Sequence, residues 1–367
     1  MFGVYIEQVE KRLKAVIAHL QTSEIFRAMI AEAAGATPPA GVLDLSRFSN
    51  PPDPTEWRVI DHAAALSRTY AIYEQFVHEL MRELVTFLES SGPFQNLDAK
   101  FQTAYRHGFS FVSQKIDYAR YSHLALPNIV ASYSDALSGK VPYSLLSEAL
   151  LTLDKNLAMS ELSQLFTPCG IDNMGGFIDS HPAMIAFFAA EQRLAADAGS
   201  ELKRFIQDRN DAAHGGLTIS QILGQDELVE YVDFCTVLCL CIAERVQKAV
   251  LSKSIEVGKA ELLCESNEVY KKGLVVIASV NGTISNGMEL YAIGGGRCYE
   301  IAVKSIQLDD EDIDGVTTTA GPLEVGFGLN LPVRKGYKIV RRVPAVQVTE
   351  VELPEASQAS LEAVSSD

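Results

Sequence analysis

From the first residues to about position 255, apolar side chains recur at three- and four-residue steps, the spacing of helices that bury one face. Over 1–35 the recurring positions are Val4, Ile6, Val9, Leu13, Ile17 and Leu20, which predicts one or two amphipathic helices. The stretch "TPPAGVLDLSRFSNPPDPTEW" follows; its prolines and its glycine rule out a continuous helix and make it an irregular connector. A long helix is predicted from about Glu56 to Leu88, with Ile72, Phe76, Leu80, Leu84 and Phe87 as its inner stripe. Residues 95–200 read as mostly helical, broken at "LPN" (126–128), "SGKVP" (138–142) and "PCGIDNMGG" (168–176). A helix is then expected from near Ala183 to the Gly215–Gly216 pair, where a C-cap belongs. The next, about Gln225 to Leu251, carries Leu228, Val232, Cys235, Leu238, Ile242 and Val246 inward.

The period changes after about residue 262. Short β-rich runs appear between turns: "LVVIASV", "MELYAI", "RCYEIAVKSI", "VGFGL" and "KGYKIV". About six strands in this space suggest a small closed antiparallel barrel, because closure removes free edges. The expected organisation is therefore 1–55, N-terminal helices and the Pro-rich connector; 56–255, an all-α helical-bundle domain; 262–345, a β-barrel; and 346–367, an acidic disordered tail.

Composition narrows the class. The 47% apolar and 21% charged content is that of a soluble globular protein. No apolar run reaches bilayer length, and the N-terminus lacks an uninterrupted apolar segment of the secretory kind, so a cytoplasmic location is expected. The net charge of −16 argues against broad nucleic-acid binding driven by phosphate neutralisation, yet leaves room for a local basic site. Of the six cysteines, three lie in "CTVLCLC" on an apolar helix and lack a second Cys or His pair at zinc spacing, so they read as small buried hydrophobes.

The chemistry concentrates in "DRNDAAHGG", residues 208–216. An arginine followed by a histidine within a few residues occurs by chance in a chain of this size, so context carries the argument. On a regular helix Asn210 and His214 share a face, while Arg209 stands about 140° from His214. A compact site needs a distorted last turn, which the two glycines permit, or a second copy of the motif in a two-fold dimer. The residues suit metal-free RNA cleavage. His214 has a pKa naturally near neutrality for general acid or base work on the 2′-hydroxyl or the leaving 5′-oxygen. Arg209 pairs with the phosphate, Asn210 positions the phosphate or ribose, and Asp211 orients the imidazole. The plain alternative is a basic helix end stabilising its own dipole.

"RNDAAHG" resembles the Arg-x4–6-His signature of the HEPN superfamily, and the earlier helix "SRTYAIYEQFVHELMREL" is similar to family helices carrying an aromatic–Glu pair. The resemblance covers roughly 57–250. It implies an α-helical endoribonuclease, a homodimer with a composite site, often a toxin or antiviral defence effector. Arg209, Asn210 and His214 carry over as the catalytic set, Asp211 and Glu74 as supporting residues, with no metal and no cofactor. The implied partners are an RNA substrate, a second copy of the chain and a neutralising or activating protein, with neither membrane nor DNA. The fold class becomes α+β multidomain: an all-α HEPN-like bundle followed by a small antiparallel β-barrel.

Residues 265–342 are similar to the second domain of elongation factor Tu and related translational GTPases, through "SVNGTISNGMELYAI", "YEIAVKSIQL", "TTAGPLEVGFGLN" and "VRKGYKIV". No GxxxxGK[ST] occurs, so GTPase activity is not implied, and "IGGGRC" (293–298) lacks the Lys-Ser/Thr of a phosphate cradle. "DEDIDG" (310–315) has calcium-loop spacing at Asp310, Asp312 and Asp314, but Gly321 stands where a bidentate Glu belongs, so it reads as a solvated acidic loop. The rival to the nuclease is a non-catalytic protein- or RNA-binding module, with the helical domain as dimerisation scaffold.

Overall fold

The computed structural model describes residues 2–33, 51–152, 154–190, 197–213, 222–318 and 321–343. Among them are nine α-helices followed by ten β-strands, an α+β architecture. Helix α1 (Gly3–Ala33) buries Val9, Leu13, Val16 and Leu20 against α2 (Pro54–Glu89) and α9 (Gln225–Glu256). Val4, expected inside, is 61% exposed, and Phe2 enters the core instead. The start of α2 is set by Asp53, whose side chain accepts from the Thr55 N–H at 2.9 Å, and by Pro54, whose missing N–H costs nothing in a first turn. Residues 34–50, and with them most of the expected connector, lie outside the described residues. Ile72, Phe76, Leu80 and Leu84 are buried as the period predicts, while Leu88 replaces Phe87 at the last inward position. All six expected inward residues of α9 are buried.

Between the long helices run α3 (Ala99–Gln114), α4 (Leu126–Leu137), α5 (Met159–Phe166), α6 (Met174–Ser180), α7 (Pro182–Ala190) and α8 (Ala198–Ala213). "LPN" begins α4 rather than breaking a helix, its proline lying in the first turn. Nor is 183–213 one helix. Asp197 interrupts it by accepting from the Ser200 N–H at 2.8 Å, capping a new helix, while Asp179 accepts from Ala198 N at 2.9 Å. Helix α3 closes onto the turn at 147–149 through Gly108, where a Cβ would sit 1.5 Å from the Ala149 carbonyl oxygen. Gly108→Ala is therefore expected to destabilise by about 1–3 kcal/mol despite alanine's better helix propensity. A urea melt checks this, and an unchanged midpoint would mean that the turn yields freely.

The strands are β1 (Ala260–Glu265), β2 (Glu268–Tyr270), β3 (Val275–Val280), β4 (Thr283–Ser285), β5 (Glu289–Gly294), β6 (Arg297–Leu308), β7 (Glu311–Ile313), β8 (Gly315–Thr317), β9 (Leu323–Leu329) and β10 (Lys338–Arg342). They form an antiparallel ladder, β1-β10-β5-β6-β9-β3-β2, with β7 beside β6 and a separate β4–β8 pair. The sheet curls around Val276, Val280, Leu290, Ile301, Phe327 and Ile339, but it is a half-barrel rather than the closed barrel expected. Its edges are β1 and the three-residue β2, too short to pair the rim; across the gap the Asn281 N–H bonds the Leu263 carbonyl at 2.7 Å.

Two sequence features resolve into hairpin turns. Gly295 and Gly296 have φ of 56° and 75°, the paired left-handed conformation of a two-residue turn, with Tyr337 packed so close that a Cβ on Gly294 would meet its ring at 2.3 Å. Asp309 and Asp310 turn β6 into β7 in the same way, with φ of 51° and 65°, so the acidic loop is partly a hairpin in which Gln307 donates to Asp312. The sheet packs on α9 through Leu251, Ala260, Tyr291, Cys298 and Val340. No helix among the described residues is long and apolar enough to cross a membrane.

Candidate active site

Helix α8 presents Leu202, Phe205, Ile206 and Ala212 to the core, and Arg209 occupies the place in that stripe where the spacing calls for an apolar side chain. Its guanidinium lies 4.4 Å from the centre of the Tyr70 ring on α2, a stack that desolvates one face of the cation. Nη1 donates to Asn210 Oδ1 at 3.0 Å and, more weakly, to Asn156 Oδ1 at 3.4 Å. Among the described residues the buried Nε of Arg209 has no hydrogen-bond partner. A planar cation held flat on an aromatic face keeps the fork geometry that pairs with an anion.

Tyr70 is itself held from two sides. Its hydroxyl accepts from the Leu157 N–H at 2.9 Å and donates to Glu74 Oε1 at 3.3 Å. Burial, with the Glu74 carboxylate adding to it, pushes this phenol up to about 12, so it is a neutral donor across the physiological range. Tyr73 donates to the Leu157 carbonyl at 2.9 Å, so two tyrosines of α2 pin the segment that carries Asn156. On the other flank Tyr231 of α9 donates to Asp208, the residue before Arg209, and burial raises that phenol strongly. The motif helix is thus clamped between α2 and α9.

Of the residues read from the sequence, Arg209 and Asn210 are brought together, and Glu74 joins them through the Tyr70 hydroxyl rather than directly. Asp211 is exposed and accepts from Gln207 Nε2 at 2.9 Å. His214, and with it the Gly215–Gly216 pair, lies outside the described residues. Tyr70 as the stacking partner, Asn156 and the Asp208–Tyr231 clamp were not singled out in the sequence. An arginine set in an apolar stripe was legible; Asn156, in a non-helical segment, carried no signal. The cysteines offer no competing centre: burial pushes the thiols of Cys169, Cys264 and Cys298 up to about 12, far from thiolate.

The residues that build this helical bundle are also the ones that a family model matches. The family model described as RiboL-PSP-HEPN matches residues 42–248, more than half of the chain. The chain belongs to this HEPN family, whose domains are commonly ribonucleases, and a nuclease or RNA-related role follows at that level. No curated protein matches it. Among solved structures, the C-terminal domain of a Geobacillus thermoleovorans putative U32 peptidase is similar at 14% identity and a TM-score of 0.20, covering 23% of this chain and 92% of that one. A likeness of that size carries nothing further.

Proposed function

We propose that the protein is a metal-independent endoribonuclease that acts as a homodimer and cuts RNA by internal transesterification. The observation that supports this best is Arg209 itself, held flat on the Tyr70 ring at the head of a motif that continues to His214. In the proposed reaction His214 takes the proton of the 2′-hydroxyl, and the 2′-oxygen forms a bond to phosphorus. The P–O5′ bond breaks, and the leaving 5′-oxygen takes a proton from a second imidazole supplied by the other copy of the motif. Arg209 neutralises the charge that grows on the phosphoryl oxygens, and Asn210 holds the phosphate or ribose. The products are a 2′,3′-cyclic phosphate and a 5′-hydroxyl. A toxin or defence role fits such an enzyme, and the curled sheet then serves to recruit an RNA or a controlling protein.

The test is incubation of the purified chain with total cellular RNA in EDTA, with the new ends typed. Cleavage that survives chelation and leaves cyclic or 3′-phosphate ends is the expected result. Full inhibition by EDTA would replace this mechanism with a metal-dependent one. No cleavage under any condition, together with loss of partner binding on deleting 262–345, would favour the binding-module alternative.

A further inference from the structure

Beside the clamp around Arg209 lies a cavity of about 380 Å³, and Glu74 and Leu157 belong to both. Tyr70, Glu74, His78 and Arg82 follow one another along α2 at four-residue steps, the winding ridge of a helix surface. With about 1.5 Å of rise per residue, that ridge carries a continuous polar line about 18 Å from the Arg209 stack to Arg82. Arg120, Lys155 and Glu148 line the same cavity. The Arg120 side chain is fixed by donating Nη2 to the Leu151 carbonyl at 2.8 Å and by Asp154 at 3.5 Å. Arg82 and Lys155 have no ion-pair partner among the described residues, and both are exposed. Three cations thus line one concavity together with two carboxylates, Glu74 and Glu148, with Asp154 beside Arg120, in a chain whose net charge is −16.

We propose that this cavity seats an RNA nucleotide flanking the cut, its phosphate bridged by Arg82, Arg120 and Lys155 and its 2′-hydroxyl facing Glu74 and Glu148. The proposal rests on the ribonuclease reading and extends it, giving the strand a second point of attachment along α2 from the scissile phosphate. The volume lies within the range of small-ligand sites and suits one nucleotide rather than a duplex. The carboxylates distinguish RNA from a bare anion, since ribose hydroxyls can donate to them while phosphate alone would be repelled. Seating a nucleotide here holds the strand in register, so that the bond to be cut falls on Arg209.

The experiment uses the full chain with His214→Ala in the background, so that a labelled single-stranded oligoribonucleotide keeping its 2′-hydroxyls binds but is not cut. Arg82→Gln/Lys155→Gln in that background is compared with His214→Ala alone by anisotropy across a salt series, with melting temperatures matched. Because both side chains are exposed, the fold is expected to survive. The double variant should bind at least tenfold more weakly near 0.1 M salt, and its log K against log salt should flatten by about 0.7, the loss of one neutralised phosphate. Unchanged affinity and slope would overturn the proposal. So would adenosine monophosphate competing as well as an unlabelled oligonucleotide, which would make the cavity a site for a free nucleotide. Cleavage of ordinary RNA by wild type is measured in parallel. If the oligonucleotide is bound through these residues but wild type cuts nothing, the nuclease reading fails while the binding result stands.

Discussion

Arg209→Ala should abolish RNA cleavage, with a loss of two to three orders of magnitude in kcat, and His214→Ala should do the same. The size follows from what each group is asked to supply. Removing one preorganised donor to a charge that develops in the transition state costs about 10²–10³-fold, and a general acid or base contributes about 10²–10⁴-fold. The fold should survive Arg209→Ala, since the side chain's packing contribution is mainly its stack on Tyr70, about 0.5–2 kcal/mol. Arg209→Lys should fail as catalyst too, because an ammonium can neither lie flat on the ring nor present two parallel N–H groups to a phosphate. Single-turnover cleavage with a melting curve for each variant checks this. Activity retained in either alanine variant would sink the assignment of the motif.

The largest effect on stability is expected at the junction of the helices and the sheet. Glu244 of α9 is 3% exposed and accepts from Arg297 through Nε at 3.1 Å and Nη2 at 2.6 Å, and from the Cys298 N–H at 2.7 Å. His181 lies with Nε2 at 3.2 Å from the same carboxylate, while its Nδ1 accepts from the Ala183 N–H, which places the imidazole proton toward Glu244. Burial works to raise this carboxyl, but the close approach of His181 and the hydrogen bonds from Arg297 and Cys298 outweigh it and hold it below the ordinary glutamate range. Glu244→Ala leaves those donors facing each other with no acceptor and should cost about 3 kcal/mol, the low end for a broken buried pair because Arg297 is a third exposed. The pH dependence follows from the depressed carboxyl. Its stabilisation is complete above the unfolded glutamate pKa and is lost as pH falls through the lower folded value. Wild type should therefore lose an increment of stability in acid that Glu244→Ala lacks. Identical acid-side slopes in urea melts of the two proteins would refute the latch.

How much of this was legible in the chain depends on the range of the interaction that decides it. The long helices α1, α2 and α9 appear in the apolar period because each buries one continuous stripe, and a stripe is a local pattern. The break before α8 was missed because Asp197 acts through a single cap, a signal any surface aspartate can imitate. The β region announced itself by the change of period, yet whether the sheet closes depends on how far β2 extends and where β4 goes, which no strand states alone.

The candidate site divides along the same line. By itself the sequence determined the residue types of the motif, Arg209, Asn210 and His214, their order along the chain and the family they point to, because these are carried by contiguous residues. Only the tertiary structure decided that Arg209 lies on Tyr70, that Glu74 reaches it through a phenol, and that Asn156 and Leu157 close the cluster across more than fifty residues of chain. A guanidinium has many surroundings compatible with one sequence spacing. Which of them it meets is fixed by the packing of whole helices, and that is a sum over the entire core.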